Sequence, residues 1–133
     1  GGGGMNLHTL DYVILLCEDL AVMKAFYHDI LSFPVERDWE SWIELRAGSG
    51  LLTLRKRGCP YDGPMPQFAT GVQLAFRVLP SEAERWYAEL LEGKVEILEP
   101  PRDQEYGHRT LCFKDPEGNI LEICAESGVS GCT

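Results

Sequence analysis

A carboxylate within a strand-like run is the first residue that could do chemistry. The run DPEGNILEIC (115–124) reads as a tight turn followed by a β-strand that contains Glu122. Strand alternation puts Ile120, Glu122 and Cys124 on one face of that strand. Glu122 therefore lies either on a solvated face or in a binding site. In a site it needs a partner or a changed pKa, because burying a bare charge is costly.

Patterns for nucleophiles and metal sites are otherwise sparse. The sequence has no Ser-His-Asp set, phosphate-binding loop or dinucleotide-binding glycine motif. The cysteines form no CxxC pair; they are Cys17, Cys59, Cys112, Cys124 and Cys132. Disulfide frameworks and structural zinc sites need paired spacing, so we expect reduced thiols and a cytoplasmic protein. The histidines, His8, His28 and His108, recreate no His/His/Glu set at ligand spacing.

The charge balance excludes several classes of partner. The chain has 21 acidic and 12 basic residues, which gives a formal net charge of −9. Nucleic acids and anionic membrane surfaces need a basic footprint, so neither is expected as a partner, and a neutral or cationic small molecule is favoured. No apolar run approaches the ~18 residues of a membrane helix. No cationic leader with an apolar core stands out, so we expect a protein that is not secreted.

Two predicted helices each follow one strand and precede three more. The first helix is amphipathic, is capped by Asp19 and ends before Pro34. The second has a predicted capping box from Ser81 to Glu84 and stops at Gly93. The same order of elements thus occurs twice. It predicts an α+β protein of two βαβββ modules, in which each sheet buries one apolar face.

Composition sets the predicted boundaries of these modules. Gly and Pro are concentrated between the two repeats, which is typical of a linker. The predicted segments are an expression remnant at 1–4, a first module at 5–57, a linker at 58–70, a second module at 71–126 and a C-terminal tail at 127–133.

The helix pattern DL…FYxDxL (19–31), the strand pattern DPxGNxxE (115–122) and the duplicated order resemble the vicinal oxygen chelate superfamily. That group contains glyoxalase I, extradiol dioxygenases, and fosfomycin- and bleomycin-resistance proteins. The pattern is most similar to the bleomycin-resistance-like members. The resemblance implies cupped mixed sheets whose modules pair around a cleft. It also implies a homodimer, in some members with modules swapped between chains.

The resemblance also implies four site positions, one on the first strand and one on the last strand of each module. They fall on Tyr12, Thr53, Gln73 and Glu122. Metal-dependent members carry His or Glu there, and only Glu122 matches. Phenol, hydroxyl and amide groups are poor ligands for zinc, nickel or iron, so we expect no cofactor. The alternative is a divalent metal held by Glu122 and by substrate oxygens.

Further ligand contacts are expected beside these positions. Trp39 and Trp42 are predicted on the second and third strands, where indoles could stack on a flat or cationic ligand. Their alternative role is core or dimer packing. Tyr106 and His108 flank the turn before the seventh strand, which borders the ligand cleft in similar proteins.

Three functions follow as hypotheses. The first is a metal-independent protein that binds or sequesters an amphipathic, cationic, antibiotic-like compound in the cleft between modules. The second is a metal-dependent lyase, isomerase or dioxygenase-type enzyme that uses Glu122. The third is a regulatory domain with a vestigial cleft. The partner of Glu122 stays open among a cationic ligand, a hydrogen bond from Tyr12 or Gln73, and an ion pair with Arg55, Arg77 or Arg109.

Overall fold

A computed structural model describes residues 10–62, 72–105 and 107–126. They form two compact units that divide after Asp62, each with its own four-stranded sheet. Within these residues, no helix is long and apolar enough to cross a membrane. The division falls inside the predicted 58–70 linker.

The first unit is a βαβββ module. Its elements are β1 (Tyr12–Cys17), α1 (Leu20–Lys24) with a π-helical continuation (Ala25–Ile30), β2 (Val35–Trp39), β3 (Trp42–Ala47) and β4 (Gly50–Lys56). The strand order is β1-β4-β3-β2, with β1 parallel to β4 and the other pairs antiparallel. The predicted helix and four strands are confirmed.

The first helix begins as predicted but continues with a wider turn. The Asp19 side chain accepts a hydrogen bond from the Val22 backbone N–H at 3.1 Å. Beyond Lys24 the bonds span five or six residues, for example from Leu31 N–H to the Phe26 carbonyl at 3.1 Å. The neighbouring rings of Phe26 and Tyr27 are both buried here, edge to face at 5.0 Å. Periodicity alone did not predict this widening, which lets adjacent aromatic residues both face the core.

Apolar side chains from one face of the first sheet pack with this helix. They are Leu15, Ile43, Leu45, Leu52 and Leu54, with Met23, Phe26 and Tyr27 from the helix. Burying each such side chain contributes roughly 1.5–3 kcal/mol relative to leaving it exposed. Because strand residues alternate, the residues between them lie on the opposite side, which we call the helix-free face.

The second unit repeats the module. Its elements are β5 (Gln73–Arg77), a 3₁₀ turn (Pro80–Glu82), α2 (Ala83–Glu92), β6 (Ile97–Asp103), β7 (His108–Lys114) and β8 (Ile120–Glu126). The order β5-β8-β7-β6, with β5 parallel to β8, matches that of the first unit. Leu90 of α2 is fully buried, as are Phe113 and Leu121 of the sheet.

The capping box of the second helix lies earlier than predicted. The Glu82 carboxylate accepts a hydrogen bond from the Leu79 backbone N–H at 2.8 Å. The predicted pairing of Ser81 with Glu84 is therefore wrong. Pro80 starts the helical segment with a 3₁₀ turn, which moves the cap two residues towards the N-terminus, and Glu84 binds Arg109 at 2.7 Å instead.

The turn before β8 is held by a buried aspartate. Asp115 Oδ1 accepts hydrogen bonds from the Glu117 and Asn119 backbone N–H groups, both at 2.9 Å. The Asn119 amide donates to the other carboxylate oxygen at 2.7 Å. Gly118 adopts a φ of +90°, which favours glycine. The DPEGN sequence thus fixes where β8, and with it Glu122, begins.

A second aspartate closes the first module just after β4. Asp62 accepts hydrogen bonds from the Gly58 and Cys59 backbone N–H groups at 2.8 and 2.7 Å. It also forms an ion pair with Arg55 at 2.6 Å. The Arg55 guanidinium, followed by these backbone donors, holds the pKa of Asp62 well below its ordinary value. Residues 58–62 of the predicted linker are therefore bonded to the first module.

We expect Asp62→Asn to lower the melting temperature at pH 7. Because the folded-state pKa of Asp62 is depressed, its stabilisation is present above about pH 4 and is lost as the pH falls below that value. The difference in melting temperature between the wild type and the variant should therefore shrink from pH 5 to pH 2.5. Thermal unfolding followed by circular dichroism measures this difference. A constant difference across that range would contradict the assignment.

Candidate ligand-binding faces

The helix-free face of the second module brings Gln73 and Glu122 together. In the parallel pairing of β5 with β8, Gln73 lies opposite Ile120, and Ala75 lies opposite Glu122. The Gln73 side-chain amide donates a hydrogen bond to Glu122 Oε1 at 3.1 Å. Two residues that are 49 positions apart in sequence thus share one site. Glu122 itself is half-buried.

The arginines considered as partners of Glu122 are paired elsewhere. Arg55 binds Asp62, and Arg77 lies 3.9 Å from Glu126. Arg109 binds Glu84 at 2.7 Å and Asp103 at 3.1 Å, and these contacts raise its pKa. Across residues 10–62, 72–105 and 107–126, Glu122 forms no ion pair. Its carboxylate contacts only neutral groups there, the Gln73 amide and, at 4.0 Å, the Cys112 thiol.

Two thiols lie on the same face as Glu122. Cys112 is directly opposite Glu122 in the antiparallel pairing of β7 with β8, and Cys124 is two residues along β8. Burial is the larger cause that raises the pKa of each thiol, and the negative charge of Glu122 is the second. Both cysteines are therefore protonated near neutral pH and are weak nucleophiles.

His108 lies at the far end of this face. It begins β7, as predicted, and its Nδ1 is 3.3 Å from the Cys124 sulfur. The two atoms are within hydrogen-bonding distance, and the imidazole tautomer determines which of them donates.

The helix-free face of the first module carries an aromatic pair. The rings of Tyr12 and Trp42 meet edge to face, with centroids 6.2 Å apart. The Trp42 indole N–H donates to Glu44 Oε2 at 2.8 Å. Glu44 therefore fixes the indole, and it is a candidate site residue that the sequence did not predict. The signal was present, because Glu44 follows Trp42 by two residues and so shares its strand face.

Trp39 is more exposed than Trp42 and has a cation over its ring. It lies at the end of the edge strand β2, and 56% of its surface is accessible. The Arg37 guanidinium carbon is 5.3 Å from the centre of the Trp39 ring. Arg37 Nε also lies 3.4 Å from Glu44 Oε1. The charge of Glu44 is thus balanced within the module, unlike that of Glu122.

Thr53 lies on this face but is fully buried. It pairs with Ile14 of β1 and with Glu44 of β3. Its hydroxyl is enclosed and has no hydrogen-bond partner among the described residues. A buried hydroxyl without a partner is destabilising by about 1–3 kcal/mol. A ligand role for Thr53 stays a prediction. Tyr106 and His8 lie outside the described residues.

The side chains at the four family positions do not form a donor set for a transition metal. They offer a phenol, a buried hydroxyl, an amide and one carboxylate. Among the residues that the structure describes, no three His, Cys, Asp or Glu side chains are grouped closely enough to hold a metal ion. Zinc, nickel and iron prefer imidazole, thiolate and carboxylate ligands. The four side chains therefore do not fit a transition-metal site.

A groove of about 790 Å³ lies on the other side of the first module, between the start of α1 and the β2–β3 turn. Both lysines that line it are bonded within the module. Lys24 pairs with Asp38 at 2.5 Å, and Lys56 donates to the Glu18 backbone carbonyl. None of the predicted binding residues lines it. We therefore assign it no role in ligand binding.

Comparison with known proteins decides the family. The model of the Glyoxalase/Bleomycin resistance protein/Dioxygenase superfamily matches residues 9–123. The chain belongs to this superfamily. The match spans both modules, so the superfamily fold accounts for the duplicated βαβββ order. The bleomycin-resistance-like subtype stays a prediction.

Individual superfamily members agree with this assignment. The metallothiol transferase FosB of Staphylococcus saprophyticus is 26% identical over 119 residues, which cover 88% of this chain and 76% of FosB. A glyoxalase/bleomycin resistance protein/dioxygenase from Nocardioides superimposes with a TM-score of 0.75 at 21% identity, covering 96% of this chain and 87% of the other. Lactoylglutathione lyase from Agrobacterium tumefaciens gives 0.68 at 18% identity, covering 91% and 96%. At these identities the two structures show the shared fold alone.

We expect Thr53→Val to raise the free energy of unfolding by about 1–2 kcal/mol, because it replaces an unpartnered buried hydroxyl with a methyl group of similar shape. Thr110→Val is the matched control, since the Thr110 hydroxyl accepts a hydrogen bond from the Gln104 amide at 2.7 Å. That variant should lose stability. Urea denaturation gives the free energy of unfolding of each variant. Equal losses of this free energy in the two variants would show that the Thr53 hydroxyl has a partner.

We expect iodoacetamide to modify Cys112 and Cys124 slowly at pH 7.5, because both thiols have raised pKa values. Glu122→Gln should accelerate both reactions modestly. It removes the negative charge that helps to raise the two thiol pKa values, whereas the effect of burial remains. Mass spectrometry of peptides gives the rate at each cysteine, with Cys59 as the internal reference. Unchanged rates in the variant would contradict an electrostatic contribution from Glu122.

Proposed function

We propose that this superfamily member is a metal-independent binding protein for an amphipathic organic cation, of the kind found among antibiotics. One observation carries the proposal. Glu122 is a half-buried carboxylate whose contacts among the described residues are all with neutral groups. A charge in that position is most stable beside a cation, and Arg77 and Arg109 of the same module are paired with other carboxylates.

The expected interaction free energies are sufficient for micromolar binding. A charge pair at 4 Å near a protein surface is worth about 4 kcal/mol before its desolvation cost. Stacking of a cation on an aromatic ring adds roughly 0.5–2 kcal/mol. Micromolar binding needs about −8 kcal/mol, so apolar burial of the ligand must contribute the remainder. This requirement favours an amphipathic ligand over a small inorganic cation.

Each proposed contact has a separate role. Glu122 supplies the negative charge, and Gln73 holds its carboxylate in place. Tyr12, Trp39 and Trp42 supply aromatic surface, and His108 is a further polar contact. Tyr106 is proposed as a further contact on the basis of the family resemblance.

A second candidate function rests on the relationship to FosB, which is named a metallothiol transferase. In that case Glu122 and substrate oxygens would hold a divalent metal such as Mg²⁺ or Mn²⁺. The chain would then be a metal-dependent enzyme. The two candidates differ in whether the carboxylate meets an organic cation or a metal ion, and this difference can be measured.

A thermal-shift experiment separates them. We expect berberine, a flat quaternary aromatic cation, to raise the melting temperature in the presence of EDTA. Glu122→Gln should abolish this shift, because it keeps the side-chain shape and removes the charge. Glu126→Gln is the matched control, since Glu126 lies on the same strand but is exposed and pairs with Arg77. The control should respond like the wild type.

The same experiment is run without EDTA in Mn²⁺, Ni²⁺ or Zn²⁺. Stabilisation by one of these metals alone, lost in Glu122→Gln, would overturn the proposal in favour of the metal-dependent enzyme. A berberine shift that is equal in Glu122→Gln and in the wild type would also overturn it, because the charge would then play no part.

A further inference from the structure

We propose that the first module contains its own subsite for an organic cation, formed by the Trp39 ring and the Glu44 carboxylate, and that the Arg37 side chain occupies this subsite as an internal competitor. The proposal goes beyond the proposed function because it uses no residue of the second module. The ligand class is a monovalent organic cation with a guanidinium or quaternary ammonium head.

The position of Arg37 shows what the subsite accepts. Its guanidinium lies over the face of an indole, at 5.3 Å from the ring centre, and its Nε is 3.4 Å from Glu44 Oε1. A cation placed between an aromatic face and a carboxylate is the arrangement by which proteins recognise quaternary ammonium and guanidinium groups. The arginine therefore stands where the head group of a ligand would lie.

Arg37 can leave this position at little cost. It lies on the edge strand β2, and 58% of its side chain is exposed. Ion pairs and cation–π contacts of exposed residues are weak because water screens them and the side chain gains freedom when it is released. Rotation of the side chain into solvent would uncover the Trp39 ring without breaking a strand pairing.

Glu44, by contrast, is held in place independently of Arg37. Only 18% of its side chain is exposed, and its second oxygen accepts the Trp42 indole N–H at 2.8 Å. When Arg37 moves away, Glu44 becomes a mostly buried carboxylate that has lost its ion pair with Arg37. That state attracts a cation more strongly than a fully exposed carboxylate would. Glu44 is thus the fixed part of the subsite.

The test compares Arg37→Gln with Arg46→Gln in the full-length chain. Arg46 is the matched control, because it lies on β3, pairs with Glu36 at 2.9 Å and contacts no aromatic ring in the structure's described part. The protein is labelled with 5-fluorotryptophan, and its three tryptophan signals are assigned with single Trp→Phe variants. The probe is benzyltrimethylammonium, and uncharged neopentylbenzene, which has the same shape, is its control.

We expect Arg37→Gln to tighten the Kd of benzyltrimethylammonium by about threefold to tenfold, because two weak internal contacts no longer compete. The Trp39 signal should shift most. Arg46→Gln should leave the Kd unchanged, and neopentylbenzene should show no gain. Glu44→Gln should weaken binding of the cation while it keeps an acceptor for Trp42.

Several outcomes would overturn the proposal. Equal effects of Arg37→Gln and Arg46→Gln would mean that only the net charge matters. A response confined to Trp86 would place the probe elsewhere. Loss of the Arg37→Gln gain in a Glu122→Gln background would assign the effect to the second module. Persistence of the gain in that background supports the subsite even if the proposed role of Glu122 fails.

Discussion

The parallel pairing of the first and last strands in each module determines the face on which Tyr12, Thr53, Gln73 and Glu122 lie. It places β1 beside β4 and β5 beside β8, in a register that puts apolar residues towards the helix. The alternate residues then share the opposite face. A slip of one residue would send Glu122 into the apolar layer and would move Leu121 out of it. The chemistry of both faces therefore depends on the apolar packing on the other side of each sheet.

Glu44 and Glu122 lie on corresponding faces of the two modules, and their partly buried charges have different kinds of partner. Glu44 has an arginine and an indole donor within its own module. Glu122 has an amide and a thiol, which satisfy hydrogen-bonding capacity but bring no positive charge. The contacts of Glu44 hold the Trp42 indole in place. The charge of Glu122 has no positively charged partner among the described residues, and a cation beside it would be favourable.

The sequence was sufficient for the repeated modules and for the faces on which the site residues lie, because these depend on local periodicity and on the DPEGN turn. It was not sufficient for contacts that depend on distant partners. The burial of Thr53, the pairing of Glu44 with Arg37 and the widened turn at Phe26 and Tyr27 arise only when strands and helix pack. The capping error at Ser81 has a local cause, the 3₁₀ turn at Pro80. A homodimer and a cytoplasmic location stay predictions.

The aspartate that closes the first module also bears on how the chain reaches its fold. The bonds of Asp62 reach back only three to seven residues, to Cys59, Gly58 and Arg55. The chain loses little entropy when contacts over such short separations form. The hydrogen bonds and ion pair of Asp62 can therefore form as soon as β4 is in place. The C-terminal end of the first repeat is thereby held by contacts within that repeat. Changes of sequence or length after it would leave the folding of that repeat largely undisturbed, a property well suited to a protein assembled from two copies of one unit.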